Sequence, residues 1–335
     1  MKPACLITID TEGDNLWAAP AEVTTENARW LPRFQALCER YGFRPTYVTT
    51  HEMARCPVFV AFGRDLLRRN AGEIGAHLHA WNSPPLRPIT ANDSLYGPYA
   101  TEYPVDLLRE KVSCLTRLLE DTFEVKMTSH RAGRWGFDGG YARALIEHGY
   151  VVDCSVTPGI SWKGSLGRPD GDGGPDYTAC PGEPYFVDLE DIRRPGCSGL
   201  LEVPVTIMPT SPRIVDGIRE MLPPRALARR VLNRLFPPLT WLRPGRGTGA
   251  AAMLRVLERA QVEGRTCVEF MLHSSELMPG GSPVFPDADS IENLYRILNT
   301  VFAAAADAFS PSTLTEFATA FSPSLCRQRL SDRLQ

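Results

Sequence analysis

Strand and helix signals alternate from the first residues of this chain, and that alternation limits its fold more than any other feature. Ala4–Asp10 is a short apolar run rich in β-branched residues, which reads as a buried strand. Thr25–Tyr41 follows with Leu31, Phe34, Leu37 and Tyr41 at helical spacing and Gly42 as its stop. The pattern repeats as strand 45–50, helix 57–69, strand 73–78, helix 104–120, strand 125–129, helix 139–148 and strand 151–155. Such β-α-β-α order predicts a parallel sheet with helices outside it, either an open doubly wound sheet or a closed barrel. No G-x-G-x-x-G follows a strand and no G-x-x-x-x-G-K occurs, which excludes the common dinucleotide and P-loop sites.

The second half is less regular. Residues 82–103 read as a long loop, and 158–198, dense in Gly, Pro and Asp, as an irregular excursion. Strands are expected at 200–208 and 265–273, and helices at 290–309 and 313–321, the last opened by a Thr313…Glu316 capping box. The expectation is one domain over residues 1–323, with an irregular insertion at about 158–262 and a polar tail at 324–335.

With 335 residues and a formal net charge of −3, the chain has no global attraction to nucleic acid, and no nucleic-acid partner is expected. No stretch reaches the roughly 18 apolar residues of a membrane span, and the N-terminal run is too short and too β-like for a signal peptide. Nine scattered cysteines form no C-x-x-C pair, so free and mostly buried thiols in a reducing cytoplasm are expected.

In parallel α/β folds, ligands bind beyond the carboxyl ends of the strands, and four strands here end in reactive residues. The first ends Asp10-Thr11-Glu12-Gly13-Asp14. Strand alternation puts Asp10 and Glu12 on one side, where two carboxylates need a cation or a shared proton, unless they simply form a solvated turn. The third ends His77-Leu78-His79-Ala80-Trp81-Asn82. Two imidazoles on one face suit a metal, and two His with one carboxylate leave positions open for water and substrate. His130-Arg131-Ala132-Gly133-Arg134-Trp135 offers an Arg to hold a carboxylate ionised and an aromatic wall for a sugar ring. Phe270–Glu276 ends at His273, which is either a general acid or base or a satisfied core imidazole.

These segments, in this order over residues 5–276, resemble the motifs of the NodB-homology polysaccharide deacetylases. Ile7–Asp14 is similar to the first motif, in the form that spaces its two acids by one residue. Ile74-Gly75-Ala76-His77 is similar to the second, His130–Gly136 to the third, Asp153-Cys154-Ser155 to the fourth and Leu272-His273 to the fifth. R-A-G-R-W-G at 131–136 and H-S-S-E-L at 273–277 resemble a subgroup associated with bacterial surface-polysaccharide gene clusters.

The resemblance implies a distorted (β/α)7 barrel that hydrolyses an N-acyl group, usually N-acetyl, on an amino sugar or sugar-linked precursor. It implies a divalent metal ion, zinc first, with Glu12 and His77 as ligands. The family's second metal-binding His would fall at Trp81, so His79, Asn82 or water fills that role, and His79 is the ligand we expect. Asp10 is then the catalytic base, Arg131 its partner and His273 the acid. Trp81, Asn82, Trp135 and Asp153 are expected to bind substrate.

Two other readings stay open. Arg225, Arg229, Arg230 and Arg234 on one helical side, with Leu227, Val231, Leu232 and Leu235 on the other, give residues 224–247 the pattern of a basic amphipathic helix. It is either a lid on the barrel or a peripheral membrane contact, the latter suiting a lipid-linked sugar deformylated or deacetylated at the inner membrane face. Trp81 at the usual His position also allows a metal-free carbohydrate-binding pseudo-enzyme.

Overall fold

The computed structural model describes residues 2–14, 16, 22–223, 225–245 and 247–321. The expected polar tail at 324–335 lies outside them.

Strands β1 (Ala4–Thr11), β2 (Thr46–Thr49), β3 (Glu73–Leu78), β4 (Ser129–Ala132) and β5 (Val152–Asp153) are laid down in chain order. Helices α1 (Leu31–Arg40), α2 (His51–Ala54), α3 (Pro57–Arg68), α4 (Asp93–Tyr96), α5 (Val105–Phe123) and α6 (Gly139–Glu147) lie among them. Then come β6 (Tyr185–Phe186), β7 (Leu201–Glu202), β8 (Ile207–Met208), α7 (Arg213–Met221), α8 (Leu227–Leu235), β9 (Thr240–Trp241), α9 (Ala250–Val262) and β10 (Cys267–His273). Helix α10 (Ala288–Ala308), β11 (Ser310–Pro311) and α11 (Leu314–Ala320) complete the described chain.

The sheet order is β10-β1-β2-β3-β4-β5-β7-β6, with β11 also on β1. From β10 to β7 these are seven consecutive parallel strands, and β6 is an antiparallel edge. The sheet curls, and its ends meet through Thr206, whose N–H donates to Glu269 O at 3.2 Å while its Oγ1 accepts from Glu269 N at 2.8 Å. The result is the expected distorted barrel.

Strand alternation sorts the side chains. In β1, Cys5, Ile7 and Ile9 join the main core under the helices, with Ile74, Ala76 and Leu78 of β3 and Val268, Phe270 and Leu272 of β10. The other parity (Leu6, Thr8, Asp10; Glu269, Met271, His273; Gly75, His77; Ser129, Arg131) fills the curl of the sheet and ends at its carboxyl rim. Helix α5 buries Leu107, Leu108, Val112, Leu115 and Leu119, the face its spacing predicts. The Thr313–Glu316 capping box opens α11 as expected.

Four expectations are corrected. The fourth strand falls at Ser129–Ala132, not 125–129; Thr128 still takes the Val151 and Val152 N–H groups, but the ladder to β3 begins only at His130. The single strand expected at 200–208 is two, because Pro204 interrupts it; β7 pairs with β5, and β8 turns outward to pair with β9. Residues 158–262 are therefore not all insertion, since β7 belongs to the main sheet. Seven described cysteines are free, five of them buried, whereas Cys197 is disulfide-bonded.

Candidate active site

The register of the parallel strands assembles the site. Asp10 is the register partner of His273 across β1 and β10, and His77 that of Arg131 across β3 and β4. Residues 263 positions apart thus meet at one rim. They open onto a cavity of about 530 Å³ lined by Asp10, Glu12, His77, His79, Trp81 and His273, with Trp135 and Trp162 on its wall.

Glu12, His77 and His79 converge. Glu12 Oε2 lies 2.9 Å from His79 Nε2 and 3.4 Å from His77 Nε2, and the two Nε2 atoms are 2.9 Å apart. One ligand atom from each residue falls within 4.8 Å of the others, and all three residues are buried. Two imidazole nitrogens aimed at each other across a carboxylate oxygen suit a divalent cation, which neutral or carboxylate-paired imidazoles bind well. His77 Nδ1 lies 2.8 Å from Arg131 O, so that carbonyl takes the Nδ1 proton and leaves Nε2 as the donor atom. Buried His79 Nδ1 has no hydrogen-bond partner among the described residues, and its ring packs edge-on against Trp81 with centroids 4.4 Å apart. Gly133 makes room for that ring: a Cβ there would lie 2.6 Å from Leu78 O and 3.0–3.1 Å from the His79 ring.

Asp10 sits beside this group. Its Oδ1 accepts from Arg131 Nη1 at 2.5 Å, and its Oδ2 is 3.9 Å from His77 Nε2 and 3.7 Å from His273 Nε2. Burial resists its ionisation, but Arg131, then His77 and His273, hold its carboxyl below the usual range. Arg131 is fully buried and forks: Nη2 donates to Glu269 Oε1 at 2.6 Å and Nε to Cys154 O at 3.0 Å.

Glu269, the second carboxylate on Arg131, is a member of this cluster that the sequence does not single out. Burial raises its pKa, and Arg131 and Thr8, whose hydroxyl donates to Oε1, only partly offset that. An acid in the middle of an apolar strand was the available signal, since such a group must be paired when buried.

His273 is backed by a second pair. Its Nδ1 lies 3.2 Å from Glu276 Oε2, and Arg243 Nη2 donates to Glu276 Oε1 at 2.8 Å. Burial works against protonation of the imidazole, but Glu276, then Glu12 and Asp10, raise its pKa above the ordinary value. Arg243, inside the 224–247 segment expected as a lid or a membrane contact, follows β9 into the cavity, because the β8–β9 pairing turns the chain back to the rim.

Of the expected substrate contacts, Trp81 and Trp135 line the cavity. Trp135 stacks on Trp162 at 6.5 Å and 19°, with Trp241 6.1 Å away. Trp162, and Trp241 packed behind it, are not singled out by the sequence. Arg134 and Trp135 both have left-handed backbone, φ 55° and 63°. That costs on the order of 1–3 kcal/mol each and is held by Arg134 donating to Leu166 O at 2.8 Å and by Tyr177 OH donating to Trp135 O.

Asn82 and Asp153 are not brought to this cavity. Asn82 lines an adjoining one of about 370 Å³ and donates to Glu52 Oε2 at 3.2 Å. Asp153 is fully buried, 2.6 Å from His130 Nδ1 and 3.0 Å from Ser155 Oγ. Its register position beside His130 puts it in the other parity from Arg131, away from the rim.

No family model matches the chain, and a search of curated proteins returns no match. Solved structures do resemble it. A candidate polysaccharide deacetylase from Mycobacterium smegmatis aligns over 96% of this chain and 91% of its own, at 14% identity and a TM-score of 0.53. A candidate glycoside hydrolase/deacetylase from Parabacteroides distasonis aligns over 95% and 71%, at 11% identity and a TM-score of 0.58. The chain has the polysaccharide-deacetylase fold.

Proposed function

We propose that this protein is a metal-dependent carbohydrate N-deacylase that hydrolyses an N-acyl, chiefly N-acetyl, group on an amino sugar or sugar-linked precursor of bacterial polysaccharide. The observation that carries this reading is the convergence of Glu12, His77 and His79 beside the Asp10–Arg131 pair and His273 at one rim.

Glu12, His77 and His79 would hold a divalent ion, zinc in our reading, with Trp81 packed against His79 at the position where the resemblance places the family's second His. When bound, such an ion supplies Lewis-acid polarisation of the acyl carbonyl and of water. Asp10, kept anionic by Arg131, takes the proton from the attacking water as its oxygen bonds to the acyl carbon. Glu269 holds the far side of the Arg131 fork, so the guanidinium keeps its aim. As the C–N bond breaks, His273 gives its proton to the leaving nitrogen, and the products are a free amine and a carboxylate. Glu276 and Arg243 orient the imidazole from behind. Trp135 and Trp162 offer flat faces for a sugar ring. The proposed setting is the cytoplasm.

A lipid-linked N-acyl sugar is the second reading of the substrate, favoured by the apolar, arginine-rich surface that α7 and α8 leave in solvent. The test is incubation of zinc-loaded protein with nucleotide-linked and lipid-linked N-acetyl and N-formyl amino sugars, reading released acetate or formate and new amine. Release from one class is expected. Sugar binding without release, in protein that holds no metal, would instead establish the pseudo-enzyme.

A further inference from the structure

Between β8 and β9 the chain leaves the barrel as a helical hairpin of α7 and α8. Arg219 pins the two together, its Nε donating to Asn233 Oδ1 at 2.9 Å and its Nη2 to Phe236 O at 2.6 Å. The hairpin does not pack as a lid. No residue of α8 is buried. Ile214, Ile218 and Met221 form one exposed apolar stripe at helical spacing, and Leu227, Val231 and Leu235 form another. With Phe236, these are seven of the sixteen large apolar residues exposed among the described residues, gathered into 23 positions. An apolar surface this concentrated marks an interaction site.

Charge selects the partner. Residues 209–239 carry six arginines and two acids, an excess of four positive charges in a chain whose formal net charge is −3. Arg225, Arg230 and Arg234 are exposed, and on the helical wheel Arg230 and Arg234 flank the Leu227–Val231–Leu235 stripe. Long cationic side chains beside an apolar stripe suit a lipid boundary, where the stems bury and the guanidinium groups stay at the headgroups. We propose that the α7–α8 hairpin docks the protein on an anionic bilayer surface. The hairpin also adjoins the cavity, since its return strand β9 carries Trp241 against Trp135, and Arg243 follows two residues later. Docking would therefore hold the active-site rim near the headgroups.

The test needs no substrate, so it fails or succeeds independently of the proposed chemistry. The full chain is cosedimented with phosphatidylglycerol–phosphatidylcholine vesicles and with phosphatidylcholine alone, at low and high salt. Binding is expected to the anionic vesicles, weakening as salt rises. Arg230→Gln with Arg234→Gln should weaken partitioning by about fivefold per charge, roughly 30-fold together. Leu227→Ser, Val231→Ser and Leu235→Ser together should abolish it, and thermal unfolding of each variant confirms folding. Protein that stays in the supernatant with anionic vesicles at low salt overturns the proposal. So does binding that neither set of variants changes, or sedimentation equilibrium showing a dimer that the serine variant dissociates, since a second copy would then be the occupant.

Discussion

The two sides of the cavity are built by different physics. On one side Asp10, Glu12, His77, Arg131 and His273 sit at or just beyond the ends of hydrogen-bonded strands, where sheet register fixes each side chain against its neighbour. On the other side Trp135 and Trp162, with Trp241 packed against both, come from a short helical turn, a loop and a two-residue strand held by side-chain stacking and loop hydrogen bonds. The first arrangement suits bond-making, which tolerates little displacement. The second can be reshaped without disturbing the barrel, and suits the choice of substrate. Changes on the strand side should therefore act on turnover or metal, and changes on the aromatic side on affinity.

The largest effect belongs to the strand side. His273→Ala should cut kcat by ~10²–10⁴-fold while metal content stays at the wild-type level, because it removes the proton donor to the leaving amine. A variant that turns over normally would assign the proton to another group. Gly133→Ala crosses the boundary between the two sides. Its Cβ would press on Leu78 O and on the His79 ring, so it should cost about 1–3 kcal/mol in unfolding free energy and weaken metal binding. Unchanged metal affinity would show that His79 is not a ligand.

Trp162→Ala should raise KM by up to about tenfold with little change in kcat, the signature of lost uniform binding. A matching fall in kcat would place Trp162 in the bond-breaking step and erase the distinction between the walls. The smallest effect lies outside both walls, at the start of α4. Buried Asp93 accepts from Thr90 Oγ1 at 2.6 Å, Tyr103 OH at 2.6 Å and the Thr90 N–H at 2.8 Å. Although burial opposes it, these bonds hold its carboxyl below the usual range. Its stabilisation is present above the unfolded-state pKa of about 4 and is lost as pH falls through the lower folded value. Asp93→Asn should thus cost ~1 kcal/mol at neutral pH, with the difference in thermal midpoint shrinking as pH falls below the unfolded-state value. A gap independent of pH would remove the carboxylate's charge from this account.

The strand side was legible in the sequence because parity and register are local rules. Asp10 and Glu12, or His77 and His79, need only alternation to share a face, and chain order predicts which strands are parallel. Glu269 lay in plain sight within Cys267–His273 but was absorbed into an apolar run. Of the aromatic side only Trp135 was legible, as the end of the 130–136 segment. Trp162 reaches Trp135 through a turn closed by hydrogen bonds such as Trp162 N to Pro175 O at 2.8 Å, which no periodicity announces. Asp153 shows the reverse failure: its strand was expected, but its parity, read against Arg131, points it to His130 and not to the groove. The basic helix pattern at 227–235 was visible, while its exposure depends on what the barrel leaves uncovered.

The roles proposed for Asp10 and His273 depend on Glu12, His77 and His79 holding a divalent ion at this rim. Element analysis of purified wild-type protein and of Glu12→Gln, both equilibrated with zinc and desalted, tests it directly. About one zinc per folded wild-type chain and a trace in the variant are expected, since the removed carboxylate is the only anionic ligand of the three. Wild-type protein that retains no metal, or a Glu12→Gln variant that retains it in full, would contradict it.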